Sequence, residues 1–317
     1  MDFLYSQLFV KPQYPTKSFA GQTIIVTGAN TGLGKEAARH FARLGASKLI
    51  LAVRNIEAGE EAKEDIVYTT KCDQSVIEVW PLDLASYDSV KAFARRASTL
   101  PRVDILLENA GIAKIDFGRF EGHERTITVN VVSTFLLALL MLPKLKDTAR
   151  EFNAEPHLTI VSSGAHGFTN FEEWQAPKIF EVLDDESKAK MSERYPVSKL
   201  LEVLVIRQIA PKLKGSGVVI NCLSPGFCHS GISRDGPYII EIMKFFIARS
   251  TEVGSRTLVA ATQAGPESHG RYMKDGKVND NALSSFVRSE DGTRTAEKVW
   301  NELSEMLESI VPGVAIL

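Results

Sequence analysis

Two stretches of the chain place a lysine four residues after a tyrosine: YDSVK, with Tyr87 and Lys91, and YPVSK, with Tyr195 and Lys199. On a helix, residues four apart lie on one face, so either pair can bring a phenol and an ammonium to one substrate atom. A phenol with its ordinary pKa of about 10 is a slow base at neutral pH, and a nearby positive charge favours its ionised form. Spacing alone does not choose between the pairs. A third stretch, TGANTGLG, sets Gly28, Gly32 and Gly34 in a row. Glycines so spaced let the backbone turn tightly and approach a pyrophosphate, whose charge is favoured by the unpaired amides of a helix N-terminus.

The elements that must position these residues follow from the apolar pattern. Short β-branched runs alternate with amphipathic stretches, as when parallel strands are joined by crossover helices. QTIIVTG reads as a first strand, followed by a helix in which Leu33, Ala37, Ala38, Phe41 and Leu44 recur at helical spacing. KLILAV, SVIEVWPLDL, VDILLENAG, HLTIVSSG and GVVINCLSPG read as strands two to six. Helices are expected at about 55–68, 86–98, 121–142 and 195–213, and again near 238–248, 251–263 and 296–308. GRYMKDGKV is a candidate last strand. The expected fold is α/β: a doubly wound parallel sheet in a three-layer αβα sandwich, with 1–317 forming one Rossmann domain. Residues 1–20 are an N-terminal extension, 164–194 an insertion before the catalytic helix, and 231–317 the substrate-side helices and C-terminal extension. No Ser/Gly linker or long repeat argues for a second domain.

Placed between a first strand and a first helix, the glycine loop becomes a dinucleotide site, with Gly28, Asn30, Thr31, Gly32, Leu33 and Gly34 as its binding residues. An acidic side chain at the end of the second strand would bind a ribose 2′-hydroxyl and repel a 2′-phosphate. Here LILAVRN puts Arg54 there, and a guanidinium pairs with phosphate in a bidentate way. The expected cofactor is NADP(H).

Position along the sheet separates the tyrosines. Tyr87 follows PLDLAS, near the adenine half of such a site, at the start of a surface helix. Tyr195 has Ser162 and Ser163 upstream at a strand end and SPGFCHS downstream, at the carboxyl edge where ligands bind. Pro196 suits a first helical turn, which places Tyr195 at or just before the helix start.

From about Gln22 to Ser230 the sequence resembles the short-chain dehydrogenase/reductase family. The resemblance rests on T-G-x-x-x-G-x-G at Thr27 to Gly34, Asp83-Leu84, N-A-G at Asn109 to Gly111, Asn130, the second serine of V-S-S, Tyr195-x-x-x-Lys199, and Pro225-Gly226 followed by Ser230. GRYMKDGKV and the helix after it are similar to the retinol-dehydrogenase-like branch and to fungal reductases. The resemblance implies that Tyr195 exchanges a proton with the substrate oxygen, a contribution of about 10²- to 10⁴-fold. It implies that Lys199 favours phenolate and holds the nicotinamide ribose, that Ser163 bonds the substrate oxygen, and that Asn130 anchors a water relaying protons to Lys199. Asp83 and Leu84 would flank adenine; Asn109, Ala110 and Gly111 would line the cofactor; Pro225, Gly226 and Ser230 would shape the nicotinamide loop. Lys35 and Arg125 are candidate further contacts but fit exposed helix charges better, and His229 fits a bystander.

Two departures stand out. The family's usual N-N-A-G is ENAG here, so a local adjustment of the strand end is expected at Glu108. The segment between Ser163 and Tyr195 is long and carries Phe168, Phe171 and Trp174, which could line a pocket for an apolar substrate or pack beneath a loop. The expected activity is therefore NADPH-dependent reduction of an apolar ketone, such as a polyketide-derived one in fungal secondary metabolism. A redox-neutral dehydratase or epimerase, retinol oxidation and a silent NADP-binding regulator are the alternatives.

Composition excludes other classes. A formal net charge of -2, with acids and bases interspersed, offers no nucleic-acid surface. Three cysteines without C-x-x-C spacing offer neither a disulfide framework nor a metal site, and fit the cytoplasm. The N-terminus makes a poor secretory signal and is expected to pack on the domain or cover a pocket. VNVVSTFLLALLML reads as too short and too polar for a membrane span of about 20 residues. The apolar helices before Pro143 and after Tyr195 suit a homodimer interface or core packing equally well.

Overall fold

The computed structural model describes residues 2–229, 231 and 247–317. Its centre is an eight-stranded sheet. In chain order the strands are β1 (Thr23–Thr27), β2 (Lys48–Val53), β3 (Ile77–Pro81), β4 (Ile105–Glu108), β5 (His157–Val161), β6 (Val219–Ser224), β7 (Tyr272–Lys274) and β8 (Lys277–Val278). Across the sheet the order is β8-β7-β6-β5-β4-β1-β2-β3, parallel throughout except for β8. The order reverses between β1 and β4, and such a switch point opens a crevice at the carboxyl ends of the strands.

The strands are apolar on both faces because helices cover both, as a parallel sheet requires. Ile24 and Val26 join one core with Ala37, Ala38 and Phe41 of helix α2; Ile25, one residue out of phase, joins the other with Phe135 and Leu201. The principal helices are α1 (Asp2–Phe9), α2 (Gly32–Arg43), α3 (Ile56–Thr70), α4 (Tyr87–Ser98), α5 (Thr134–Phe152), α6 (Met191–Ile209), α7 (Thr251–Ala261) and α8 (Glu290–Ile310). The chain is thus the doubly wound α/β fold with helices on both faces of the sheet.

Several boundaries differ from the sequence expectation. The helix expected at 121–142 begins only at Arg125, because Glu121 and Gly122 take left-handed turns of a small hairpin pairing Arg119–Phe120 with His123–Glu124. It then passes through a π-helical turn, Thr128–Ser133, and runs past Pro143 to Phe152. By length and composition 125–152 could cross a membrane, contrary to expectation, but 89% of its apolar window is buried in the fold, so it is a core helix. The single candidate strand GRYMKDGKV is two, β7 turning back into β8 at Asp275-Gly276, where both residues have positive φ. Asp-Gly is the pair such a hairpin turn favours. The helix expected at 238–248 lies almost wholly outside the described residues, as does Ser230.

Candidate active site

The β1–α2 loop adopts the left-handed backbone its glycines permit, with φ of +65° at Gly28 and +60° at Gly32. Gly34 is needed for a different reason: a Cβ there would lie 2.4 Å from Asn109 Nδ2 and 2.6 Å from the Gly28 carbonyl oxygen. Asn109 staples the loop to β4, its amide donating to the Thr27 and Gly28 carbonyls at 2.9 and 3.3 Å. The Thr27 hydroxyl in turn accepts from the Asn109 and Ala110 amides, both at 2.9 Å.

This loop forms one wall of a cleft of about 1740 Å³ along the carboxyl edge of the sheet. Gly28, Asn30, Thr31, Gly32 and Leu33 line it; Gly34 sits behind them against Asn109. Arg54, at the end of β2, is exposed on the cleft wall with no ion-pair partner among the described residues. Asp83 and Leu84 line the same end, with Asp83 also capping the Ala85 amide at 2.9 Å. Asn109, Ala110 and Gly111 form the floor, and Pro225 and Gly226 the far rim, Gly226 with φ +82°. A loop open to a helix N-terminus, a guanidinium without an ion-pair partner among the described residues and a crowded floor of Asn109, Ala110 and Gly111 together fit a dinucleotide.

At the opposite end stand Ser163, Tyr195 and Lys199. The Ser163 hydroxyl accepts from the Ala165 amide at 3.1 Å and lies near enough to the Tyr195 phenol to favour its ionised form. The Lys199 Nζ lies 5.7 Å from the centre of the Tyr195 ring. Nζ donates to the Val161 carbonyl at 2.9 Å and to Glu202 Oε1 at 2.8 Å, leaving one of its three protons for a ligand. Burial pushes the Tyr195 phenol up, against the opposing pull of the Lys199 charge and the Ser163 hydroxyl. Burial works to lower Lys199, but the Glu202 carboxylate outweighs it and holds the ammonium charged.

The structure places the other candidates as follows. Tyr195 does not open its helix: α6 begins at Met191, and Pro196 stands inside it. At the sixth helical position its missing amide hydrogen leaves the Ser192 carbonyl one turn back without its usual intrahelical donor, while the rest of the helix continues. Asn130 is buried outside the cleft, on the π-helical turn. Its side chain is consumed by the Ile112 amide and carbonyl and by the Ser198 hydroxyl, each at 2.9 Å, so it braces the 109–112 floor. Tyr87 is not a surface residue; it is 8% exposed, with its hydroxyl unpartnered, and it does not line the cleft. Lys91 pairs with Asp88 instead, at 2.7 Å. Lys35 is committed to Asp65 at 2.7 Å, and Arg125 bonds the Asp116 carbonyl at 2.7 Å. His229 is exposed and off the cleft. The three aromatics of the insertion divide: Phe168 lines the cleft, whereas Phe171 and Trp174 pack on Phe286.

With the geometry in place, comparison with known proteins is decisive. A family model described as short chain dehydrogenase matches residues 22–167. The short chain dehydrogenase/reductase dmxR8 of Cryptosporiopsis sp. (strain 8999) is 54% identical, with 99% of each chain covered. The chain belongs to the short-chain dehydrogenase/reductase family. The short-chain dehydrogenase anuD of Penicillium roqueforti (strain FM164) is 44% identical over all of this chain and 85% of its own length. Among solved structures, an NADPH-bound carbonyl reductase from chicken fatty liver shares the fold, at 20% identity and TM-score 0.62, over 82% of this chain and 99% of its own. As a member of this family the chain is an oxidoreductase of small-molecule alcohols or carbonyls that uses a nicotinamide cofactor.

Three residues at the site escaped the sequence reading. His166 bonds the Ser163 carbonyl through Nδ1 at 2.7 Å and accepts the Ser284 amide through Nε2 at 3.1 Å, which requires the neutral ring that burial favours. Tyr272 stacks edge-on against His166, with ring centres 5.1 Å apart. Neither carries a motif; only the return of β7 beside β6 brings Tyr272 here. Glu202 is the third, and its one signal was its place a turn beyond Lys199.

Proposed function

We propose that this protein is an NADPH-dependent reductase of an apolar ketone. The observation that carries the reading is that Ser163, Tyr195 and Lys199 line one end of the cleft together, with the Lys199 Nζ 5.7 Å from the centre of the Tyr195 ring. The bound nicotinamide supplies a hydride to the carbonyl carbon. Tyr195, held as the neutral phenol by its burial, gives its proton to the carbonyl oxygen as charge develops there. Ser163 donates a hydrogen bond to the same oxygen and keeps it within reach of the phenol. Lys199 compensates the negative charge left on the tyrosine, and its remaining proton is free for a ribose hydroxyl.

NADPH rather than NADH is supported by Arg54, exposed on the cleft wall at the end of β2 with no ion-pair partner among the described residues, as a guanidinium that can pair with a 2′-phosphate. The apolar substrate rests on the walls of the catalytic end, where Phe3, Ile112, Ile115, Phe168, Met191 and Phe227 line the cleft. Since the relatives are fungal dehydrogenases, a ketone intermediate of fungal secondary metabolism is the substrate class inferred. The test is NADPH consumption across a panel of aromatic and alkyl ketones, with Tyr195→Phe as control. Turnover lowered at least about 100-fold by that change supports the reading. Tight NADPH binding with no turnover anywhere on the panel would instead indicate a nucleotide-sensing regulator.

A further inference from the structure

Strand β4 was expected to deform at Glu108, but it does not. Glu108 pairs in register opposite Ile160, and its carboxyl is simply buried, 4% exposed. Its Oε1 has no hydrogen-bond partner. On α6, one turn beyond Lys199, Glu202 is 1% exposed and bonds Lys199 Nζ through Oε1, while its Oε2 is likewise without a partner. Ser162 donates its hydroxyl to the Lys199 carbonyl at 2.9 Å. Glu108 thus stands opposite Ile160, the residue before the Val161 whose carbonyl holds Lys199 Nζ, so both buried carboxyls lie on or beside the elements that grip the lysine.

We propose that Glu108 and Glu202 work as a carboxyl pair that holds one proton behind Lys199, positions its ammonium and sets the acidity of the Tyr195 phenol. The inference rests on the reductase reading of this site. Two negative charges facing one positive charge in a dry interior are too costly, so one carboxyl stays protonated. Glu202 has the lysine and is the counter-ion; Glu108 has no cation and keeps the proton. The electrostatics agree: burial and the Glu202 charge push Glu108 well up, while Lys199 restrains Glu202, which burial raises to about 7. The other groups packed here are neutral. Burial raises the Cys222 thiol on β6 and the Tyr272 phenol on β7, and it pushes Cys228 up to about 12. Arg207 and Arg249 act on those cysteines, not on the pair. With Glu202 neutralising Lys199, the phenol resists ionisation and remains a proton donor through neutral pH. Glu202 bonds Lys199, Glu108 feels the Glu202 charge, and neither lines the cleft, so both are positioning residues.

The test needs no substrate, so its failure is distinct from failure of the ketone panel. Infrared spectra of the whole protein at neutral pH should show a protonated buried carboxyl band that Glu108→Gln removes. A wild-type spectrum lacking any band sensitive to that change overturns the proposal. Ultraviolet titration of Tyr195, read as the difference from Tyr195→Phe in each background, gives the second measurement. Glu108→Gln alone should leave the phenol titration in place, since it replaces one neutral group by another. Glu108→Gln combined with Glu202→Gln should shift the titration down by about one pH unit, because Lys199 is then uncompensated. A merely structural pair would lower stability without moving it; an unmoved titration in the folded double variant overturns the proposal. If the double variant does not fold, the infrared band decides.

Discussion

At the scale of single residues, chemistry depends on company rather than on type. Tyr87 and Tyr195 share a spacing to lysine, yet Tyr87 points into the core and its lysine is bound to Asp88. Tyr87→Phe should therefore leave activity intact and, by removing a buried hydroxyl without a partner, leave the denaturation midpoint unchanged or slightly raised. Loss of activity equal to that in Tyr195→Phe would contradict the assignment. Arg54→Ala should weaken NADPH about tenfold, as loss of one exposed charge-assisted contact does, and leave NADH affinity unchanged; equilibrium titration with both nucleotides checks this. Reduction should persist through neutral pH and decline only as pH rises through the raised ionisation of Tyr195. The tyrosine, serine and lysine were legible as residues in order, as was the guanidinium. Glu202 and His166 were not, because an acid on a helix and a histidine after a strand carry no pattern until their neighbours are known.

At the scale of elements, two contacts fix the cofactor half. Helices α2 and α3 are clamped by Lys35 and Arg39 on Asp65, both at 2.7 Å. These bonds lower the Asp65 carboxyl to about 2 from an ordinary 3.8. A carboxylate depressed in the folded state stabilises above its unfolded pKa, and that contribution is lost as pH falls through the folded one. Asp65→Asn should accordingly melt below the wild type at neutral pH, the gap closing between about pH 4 and pH 2; a gap independent of pH would rule the clamp out. Gly34→Ala tests the staple beneath the loop, where a methyl group would press on the Gly28 carbonyl. It should cost about 1–3 kcal/mol in urea unfolding and weaken nucleotide binding. Strand and helix order was readable from periodicity. The boundaries at Arg125, Pro143 and Met191 were not, because a proline interrupts one hydrogen bond while packing holds the rest of the helix.

At the scale of the whole molecule, the N-terminal segment packs against the nicotinamide rim and Arg249. The buried Arg249 donates to the Ser6 and Val10 carbonyls at 2.8 and 2.9 Å and to Asp275 at 2.7 Å. Gln7 of α1 bonds both the amide and the carbonyl of Phe227 on the nicotinamide rim. Arg249→Met would leave Asp275 and those carbonyls without their cation. It should lower stability by about 3 kcal/mol in urea unfolding and loosen NADPH, since the 225–229 rim loses its anchor. Unchanged nucleotide affinity in a folded variant would show that the N-terminal helix does not support the rim.

The sequence by itself determined the alternation of strands and helices, the glycine loop and the ordered set from Thr27 to Lys199, because these depend on local periodicity and on residues near one another in the chain. Tertiary structure alone decided that Tyr87 is buried, that Asn130 braces the floor with its side chain, and that Glu108 and Glu202 are both buried on or beside the elements that hold Lys199. Those outcomes depend on which side chains strands β4 and β5 and helix α6 bury together. Burial sets the charge of an acid far more strongly than its neighbours in sequence do.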